Sequence, residues 1–189
     1  AEVLGVLGEA VKAGKIRHVG LSNETAWGAM RWLQLGEAGI GPRMVSIQNC
    51  YHLMNRMFEV GLAEVAIREQ CGLLAFSPLA MGTLSGKYLD GARPDGARMT
   101  LFSNFARYMA PRAQEAVAAH VALATKYELD PAQMALAWIN SRAFVTANII
   151  GATNLDQLKS NIASIDVKLP AELIKEIEAL QKVYTIPVP

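Results

Sequence analysis

A chain of 189 residues, 52% of them hydrophobic and 19% charged, can bury one substantial core, which excludes a disordered chain. With 18 basic against 17 acidic residues, a net charge of +1 and no run of one sign, it is not read as a nucleic-acid or membrane-surface binder, and a small partner is expected. No apolar stretch reaches the ~18 residues of a membrane-spanning helix, Glu2 and Glu9 stand where a signal peptide would be basic, and Cys50 and Cys71 have no metal-binding or disulfide-framework spacing, so a cytoplasmic protein with reduced, structural cysteines and no metal is expected.

Val3, Leu4, Leu7, Ala10 and Val11 form one helical stripe that stops at Gly14. Ile16 to Leu21, with His18 inside it, reads as a short buried strand, and Ser22-Asn23 supply cap chemistry for a helix from Ala26 to Ala38, closed by Gly39. Met44 to Gln48 is the second strand; an irregular stretch through Arg56 leads to a helix from Val60 to Gln70, stopped by Gly72. Leu73 to Ser77 is the third strand, cut off by Pro78. The loop from Leu79 to Pro111 is Gly-rich, basic and far longer than α/β connections usually are, which suits a binding loop. Helices follow from Arg112 to Tyr127 and from Pro131 to Ser141, the second opened by Asp130 as cap, Pro131 at the first helical position and Gln133 in capping-box spacing. Val145 to Ile150 is the fourth strand, Asn154 and Gln157 repeat the capping signature for a helix through Ile165, a helix from Ala171 to Tyr184 follows Pro170, and Thr185 to Pro189 is an extended tail.

Four strands, each followed by helix, predict parallel α/β layers rather than a sandwich or a bundle. A complete doubly wound sheet fits this pattern. So does half of an eight-stranded (β/α)8 TIM-type barrel, and because the chain opens on a helix with no strand or initiating methionine before it, residues 1–189 are read as a single domain that is half of such a barrel. The mean hydropathy of +0.20 is high, as strands buried on both faces or a surface awaiting a partner would make it.

Ligands of parallel α/β folds bind beyond the carboxyl ends of the strands, here Ser22-Asn23, Gln48-Asn49, Phe76-Ser77 and Gly151 to Asn154. Amides at these ends donate and accept as a carboxamide or a base edge requires, and Phe76 offers a ring for stacking on a planar group. Each of the polar residues also serves as an ordinary cap or strand end. The stretch SPLAMGTLSGKY sets Gly82 and Gly86 beside Lys87, which lets backbone amides and an ammonium approach a phosphate. It is not a magnesium-binding Walker loop, since Tyr88 follows the lysine. Arg93 and Arg98 continue the basic loop, and GATNLDQLKSN puts Gly151 and Thr153 before a capped helix start, an anion site or simple capping. His18, His52 and His120 make no metal or triad spacing; His52 is the one read as a possible pocket residue, and Trp27, Trp32 and Trp138 are read as packing. No catalytic residue is assigned.

The segments GKIRHVGLSN, IQNCYHLMNR, LLAFSPLAMGTLSGKY and IIGATNLDQLKSNI, in this order and spacing, resemble the C-terminal half of an aldo-keto reductase. FEVGLAEVA, DGARPDGARMTLF and VYTIPVP resemble in particular the bacterial Tas-like reductases, related to potassium-channel β subunits. The resemblance implies a (β/α)8 barrel that binds NADPH/NADP and reduces small aldehydes and ketones by hydride transfer without metal. It places Ser22, Asn23 and Gln48 at the nicotinamide carboxamide, and Phe76 at the nicotinamide ring where tyrosine or tryptophan is usual. Ser77, Leu79, Ala80, Gly82 and Lys87 match the loop over the pyrophosphate; Arg98, Thr153 and Gln157 match positions near the 2′-phosphate, and Asn161 one near adenine. Ser160 stands where the family often has glutamate. The family's catalytic aspartate, tyrosine, lysine and histidine belong to its other half and have no matching motif here.

Three readings stay open from the sequence: the cofactor-binding half of a reductase, a non-catalytic NADP(H)-binding or regulatory module, and an inactive truncated chain that self-associates or pairs with a missing N-terminal half.

Overall fold

The structure, a computed structural model, describes residues 1–188. These gather into two compact units, with Ala1–Cys50, Phe58–Phe76 and Ala143–Ala147 in the first and the other described residues in the second.

The first unit carries the sheet. Strands β1 (Val19–Ser22), β2 (Met44–Cys50), β3 (Gly72–Phe76) and β4 (Val145–Asn148) lie side by side in chain order, and β1 with β2 and β2 with β3 pair in parallel. A register shift in β2 sets Leu21 beside Ile47 and Ser22 beside Gln48, so Val19, Leu21, Met44, Ile47, Leu73 and Ala75 are all buried although the spacing of Met44 and Ile47 breaks strict alternation. Gly72 begins β3 rather than ending a helix; a Cβ there would overlap Thr146 of β4, so the strands close up only over a glycine. Helices α1 (Glu2–Lys12), α2 (Ala26–Glu37) and α3 (Leu62–Arg68) complete the unit.

Three sequence expectations change here. The first strand starts at Val19, which leaves His18 exposed outside it. The α2 cap is Thr25, whose hydroxyl accepts from the Gly28 N–H at 3.1 Å; Ser22 ends β1, and Asn23 turns the chain at φ +52°, a conformation that asparagine tolerates. Trp27, in the first turn of α2, is 79% exposed rather than part of the core.

The second unit is mainly helical: α4 (Arg98–Leu101), α5 (Pro111–Lys126), α6 (Pro131–Asn140), α7 (Leu155–Ala163) and α8 (Ala171–Val183). The predicted caps form, with Asp130 accepting from Gln133 N–H and Asn154 from Gln157 N–H, both at 2.9 Å. Trp138 on α6 is fully buried, stacked on Tyr51 at 5.3 Å, with the Arg56 and Arg142 guanidinium groups 5.0 and 4.6 Å from its ring and both arginines paired to Glu178 of α8. The long loop is a series of short turns, Ala80–Ser85, Leu89–Gly91 and Ser103–Met109, around α4. Pro189, the end of the predicted tail, lies outside the described residues.

Candidate functional site

In the first unit the sheet register gathers the amides. Ser22, Gln48 and Leu74 are in register across β1, β2 and β3, and Phe76 follows two residues beyond Leu74 on the same face. Asn23 extends the ladder, its N–H donating to the Gln48 carbonyl at 3.0 Å. Ser22, Asn23 and Gln48 are exposed and Phe76 half-buried. A brace absent from the sequence reading holds this corner: Glu24 N–H donates to Asn49 Oδ1 at 3.3 Å while Asn49 Nδ2 donates back to the Glu24 carbonyl at 3.2 Å. The Glu24 carboxylate accepts from Thr25 N–H and from Trp32 Nε1, and a Cβ at Gly28 would collide with it. The acid beside this strand end is therefore committed to structure.

In the second unit a cleft of about 610 Å³ collects Ser77, Leu79, Gly82, Lys87, Arg98, Gly151, Thr153, Gln157 and Asn161. Ala80 is fully buried and does not line it. The backbone entering the cleft is strained: Ser77, Ala80 and Met81 have φ of +55°, +49° and +59°, each costing on the order of 1–3 kcal/mol for a residue with a Cβ. Such conformations persist where surrounding structure imposes them, and they concentrate at ligand clamps. Gly82, at φ +90°, leaves room for Lys87, since a Cβ would stand 3.2 Å from its Cε and 3.3 Å from its Nζ.

Charge and donor inventory define what the cleft can hold. Lys87 and Arg98 are exposed and, among the described residues, neither has a carboxylate partner; Asp95 is the one acidic residue on the lining. Gln157 Oε1 accepts from the Thr153 N–H at 2.9 Å and the Thr153 hydroxyl at 3.0 Å, which fixes the entry to α7 and leaves the exposed residue's amide nitrogen as a donor. Asn161 is buried and holds the loop, its Nδ2 donating to the Gly151 carbonyl at 3.2 Å. Two cations without carboxylate partners among the described residues, Lys87 with its ammonium 5.2 Å from the Tyr88 ring centre, and amide donors beside a helix N-terminus suit a polyanion.

The structure also adds lining residues that were not singled out, Met81, the turn Pro94–Asp95–Gly96–Ala97, Ile149, Ile150 and Asn154. Pro-Asp-Gly is a turn signature and would have located that turn, though not its place at the cleft. Arg93 turns away, donating to the Met99 carbonyl at 2.9 Å. His52 lies outside the cleft, wholly buried, and His120 donates from Nδ1 to the Ala116 carbonyl at 2.7 Å. Among the described residues no cluster of His, Cys, Asp or Glu is placed to hold a metal ion, and no helix is long and apolar enough to cross a membrane. Cys71 is buried and Cys50 half-buried.

The model of the Aldo/keto reductase family matches residues 1–182. The chain belongs to the aldo/keto reductase family. Its parallel strands and following helices are part of the (β/α)8 barrel of these oxidoreductases. The aldo/keto reductase chain is 54% identical over 188 residues to "Protein tas" of Escherichia coli (strain K12), covering 100% of this chain and 54% of that protein. It is 36% identical over 165 residues to "Aldo-keto reductase" of Babesia bovis, covering 84% and 58%, and 32% identical over 171 residues to "L-glyceraldehyde 3-phosphate reductase" of Escherichia coli O157:H7, covering 87% and 49%. The chain thus spans about half the length of the curated relatives it matches.

Proposed function

We propose that this chain is the cofactor-binding half of an NADP(H)-dependent oxidoreductase that reduces small aldehydes and ketones to alcohols. The observation that carries the reading is the cleft in which Lys87 and Arg98 stand without carboxylate partners beside the start of α7. The residues fit the cofactor's phosphates: Gly82 leaves space for the Lys87 ammonium, and Arg98 offers a planar fork of donors for a phosphate monoester. The Gln157 amide adds a neutral donor, and Asn161, tied to Gly151, shapes the wall proposed for adenine. In the first unit Ser22, Asn23 and Gln48 present the paired donors and acceptors that a carboxamide needs, and Phe76 presents a ring face for stacking. The bound cofactor supplies a hydride; this chain binds and orients it.

The carbonyl substrate class draws support from the relative named for reducing L-glyceraldehyde 3-phosphate. No residue of this chain is assigned to proton transfer, since the acid nearest the strand-end amides, Glu24, is held by Thr25 and Trp32. That same observation suits a non-catalytic NADP(H)-binding module, and an assay separates the two. Calorimetric titration of the chain with NADPH and NADH tests the reading: saturable binding with preference for NADPH is expected, and absence of NADPH binding overturns it.

A further inference from the structure

We propose that Asp95 is a site of spontaneous isoaspartate formation, at which the peptide link to Gly96 migrates onto the aspartate side chain. In this reaction the Gly96 backbone nitrogen attacks Cγ of Asp95, the nitrogen loses its proton, and the carboxyl oxygen leaves as water. The resulting five-membered imide takes up one water at either carbonyl. Opening at the α-carbonyl leaves the chain running through the β-carboxyl, so water lost and water gained balance and no electrons move. The step needs an unencumbered amide nitrogen, a carboxyl free of partners and a main chain able to fold back.

Asp95 meets the first two conditions directly, and a turn held by one bond, with the glycine at φ +69°, is the basis for the third. Asp95 and Gly96 are exposed, and among the described residues neither the Asp95 carboxylate nor the Gly96 N–H makes a hydrogen bond or ion pair. The turn is closed by a single bond, Ala97 N–H to the Pro94 carbonyl at 3.1 Å, and the space where a Gly96 Cβ would project is open to 4 Å. Asp130, Asp156 and Asp166 lack this combination. Asp130 precedes Pro131, which has no N–H, and its Oδ1 caps α6. The nitrogen after Asp156 donates to Asn154 Oδ1, and the nitrogen after Asp166 donates to the Ser164 carbonyl at 3.3 Å and belongs to a β-branched valine. Asp90 shares the glycine follower, the exposure and a turn closed by one bond, Ala92 N–H to the Leu89 carbonyl at 3.1 Å; it differs in its φ of +56° and in lying off the cleft lining.

Position gives the modification a consequence, which rests on the proposed role of the cleft. Asp95 lines it three residues before Arg98. Migration inserts a methylene into the main chain and shortens the arm that carries the carboxylate, so the approach to Arg98 changes as the protein ages.

The test ages the full chain at neutral pH and body temperature, then reads isoaspartate by enzymatic methyl transfer and by fragmentation of the tryptic peptide 88–98, in which Pro94 protects the bond after Arg93. Label at position 95 well above that at Asp156 and Asp166 is expected, and Asp95→Glu, which would need a six-membered ring, should abolish it there. Gly96→Ala should slow it roughly tenfold, by crowding the nitrogen and by straining a turn residue that sits at φ +69°. Label at 95 no higher than at Asp166, label confined to position 90, or label at 95 seen only after aging in denaturant would each overturn the proposal. NADPH titration of aged protein then judges the cleft separately. Affinity that falls with isoaspartate content supports its role, whereas NADPH bound equally by fresh and aged protein refutes the stated consequence for the cleft.

Discussion

Arg98 and His52, both weighed as site residues from the sequence, meet opposite fates in the structure. Arg98 is exposed on the cleft with no carboxylate partner among the described residues, and a charge-assisted hydrogen bond contributes about 1.5–3 kcal/mol. Arg98→Ala should therefore weaken NADPH binding roughly 10- to 100-fold and NADH binding little, read by titration; equal losses for both would show that Arg98 does not touch the 2′-phosphate. His52 has gone inside. Its Nδ1 accepts from the Met54 N–H at 3.2 Å, its Nε2 has no hydrogen-bond partner among the described residues, and burial, helped by the Arg107 and His120 charges, lowers its pKa from 6.5 to about 3. Because the folded value lies below the unfolded one, the unfolded chain binds the extra proton in this window. The stability is present above pH 6.5 and is lost as pH falls toward about 3, at about 1.4 kcal/mol per pH unit for such a group. Denaturant midpoints measured down to about pH 5 should fall more steeply for the natural chain than for His52→Leu; identical slopes would show that His52 stays protonatable in the fold.

Elements are bounded by their caps, and two caps with the same geometry serve different ends. Asp130 and Asn154 each accept from an N–H three residues on at 2.9 Å. Asp130→Ala should cost about 1 kcal/mol of unfolding free energy and leave NADPH affinity unchanged, since the residue does not line the cleft. Asn154→Ala should cost a similar amount and also weaken NADPH binding, because Asn154 caps the helix that carries Gln157 and lines the cleft itself. The pair of titrations and melts separates stability from site geometry; unchanged affinity in Asn154→Ala would show that the α7 entry does not contribute to binding.

At the scale of the molecule the surface is unusually apolar. On and just beyond α7, Leu155, Leu158, Ile162 and Ile165 are 70%, 39%, 59% and 68% exposed at helical spacing, a stripe of the kind normally covered. In the first unit Val3, Val6 and Val45 are also exposed. Leaving a few hundred Å² of such surface wet forgoes on the order of 5–10 kcal/mol at about 25 cal/mol per Å², comparable with the stability of a whole domain. We propose that the isolated chain self-associates, or pairs with a separately supplied remainder of the kind its relatives contain. A compact, cooperatively unfolding monomer at micromolar concentration in light scattering would refute this. The chain alone is also expected to lack carbonyl reductase activity, since none of its residues is assigned to proton transfer; NADPH oxidation with an aromatic aldehyde that tracks with the purified chain would contradict that.

Most elements and the caps of α6 and α7 were legible in the linear chain because they arise from neighbours three or four residues apart, Asp130 with Gln133 and Asn154 with Gln157, or from contiguous apolar runs such as Leu73 to Ser77, which the structure ends at Phe76. The family resemblance was equally local, carried by contiguous segments such as GLSN and IIGATN. Strand pairing decided that Ser22 meets Gln48 across a shifted register, because pairing depends on partners far apart in the chain. Only tertiary structure could leave Lys87 and Arg98 without carboxylates and bring them to one cleft with Thr153 and Gln157. Burial was equally nonlocal: Trp27 and Trp138 both occupy helices, yet one is exposed and the other sealed, since a helix's own periodicity names its apolar side but not what covers it.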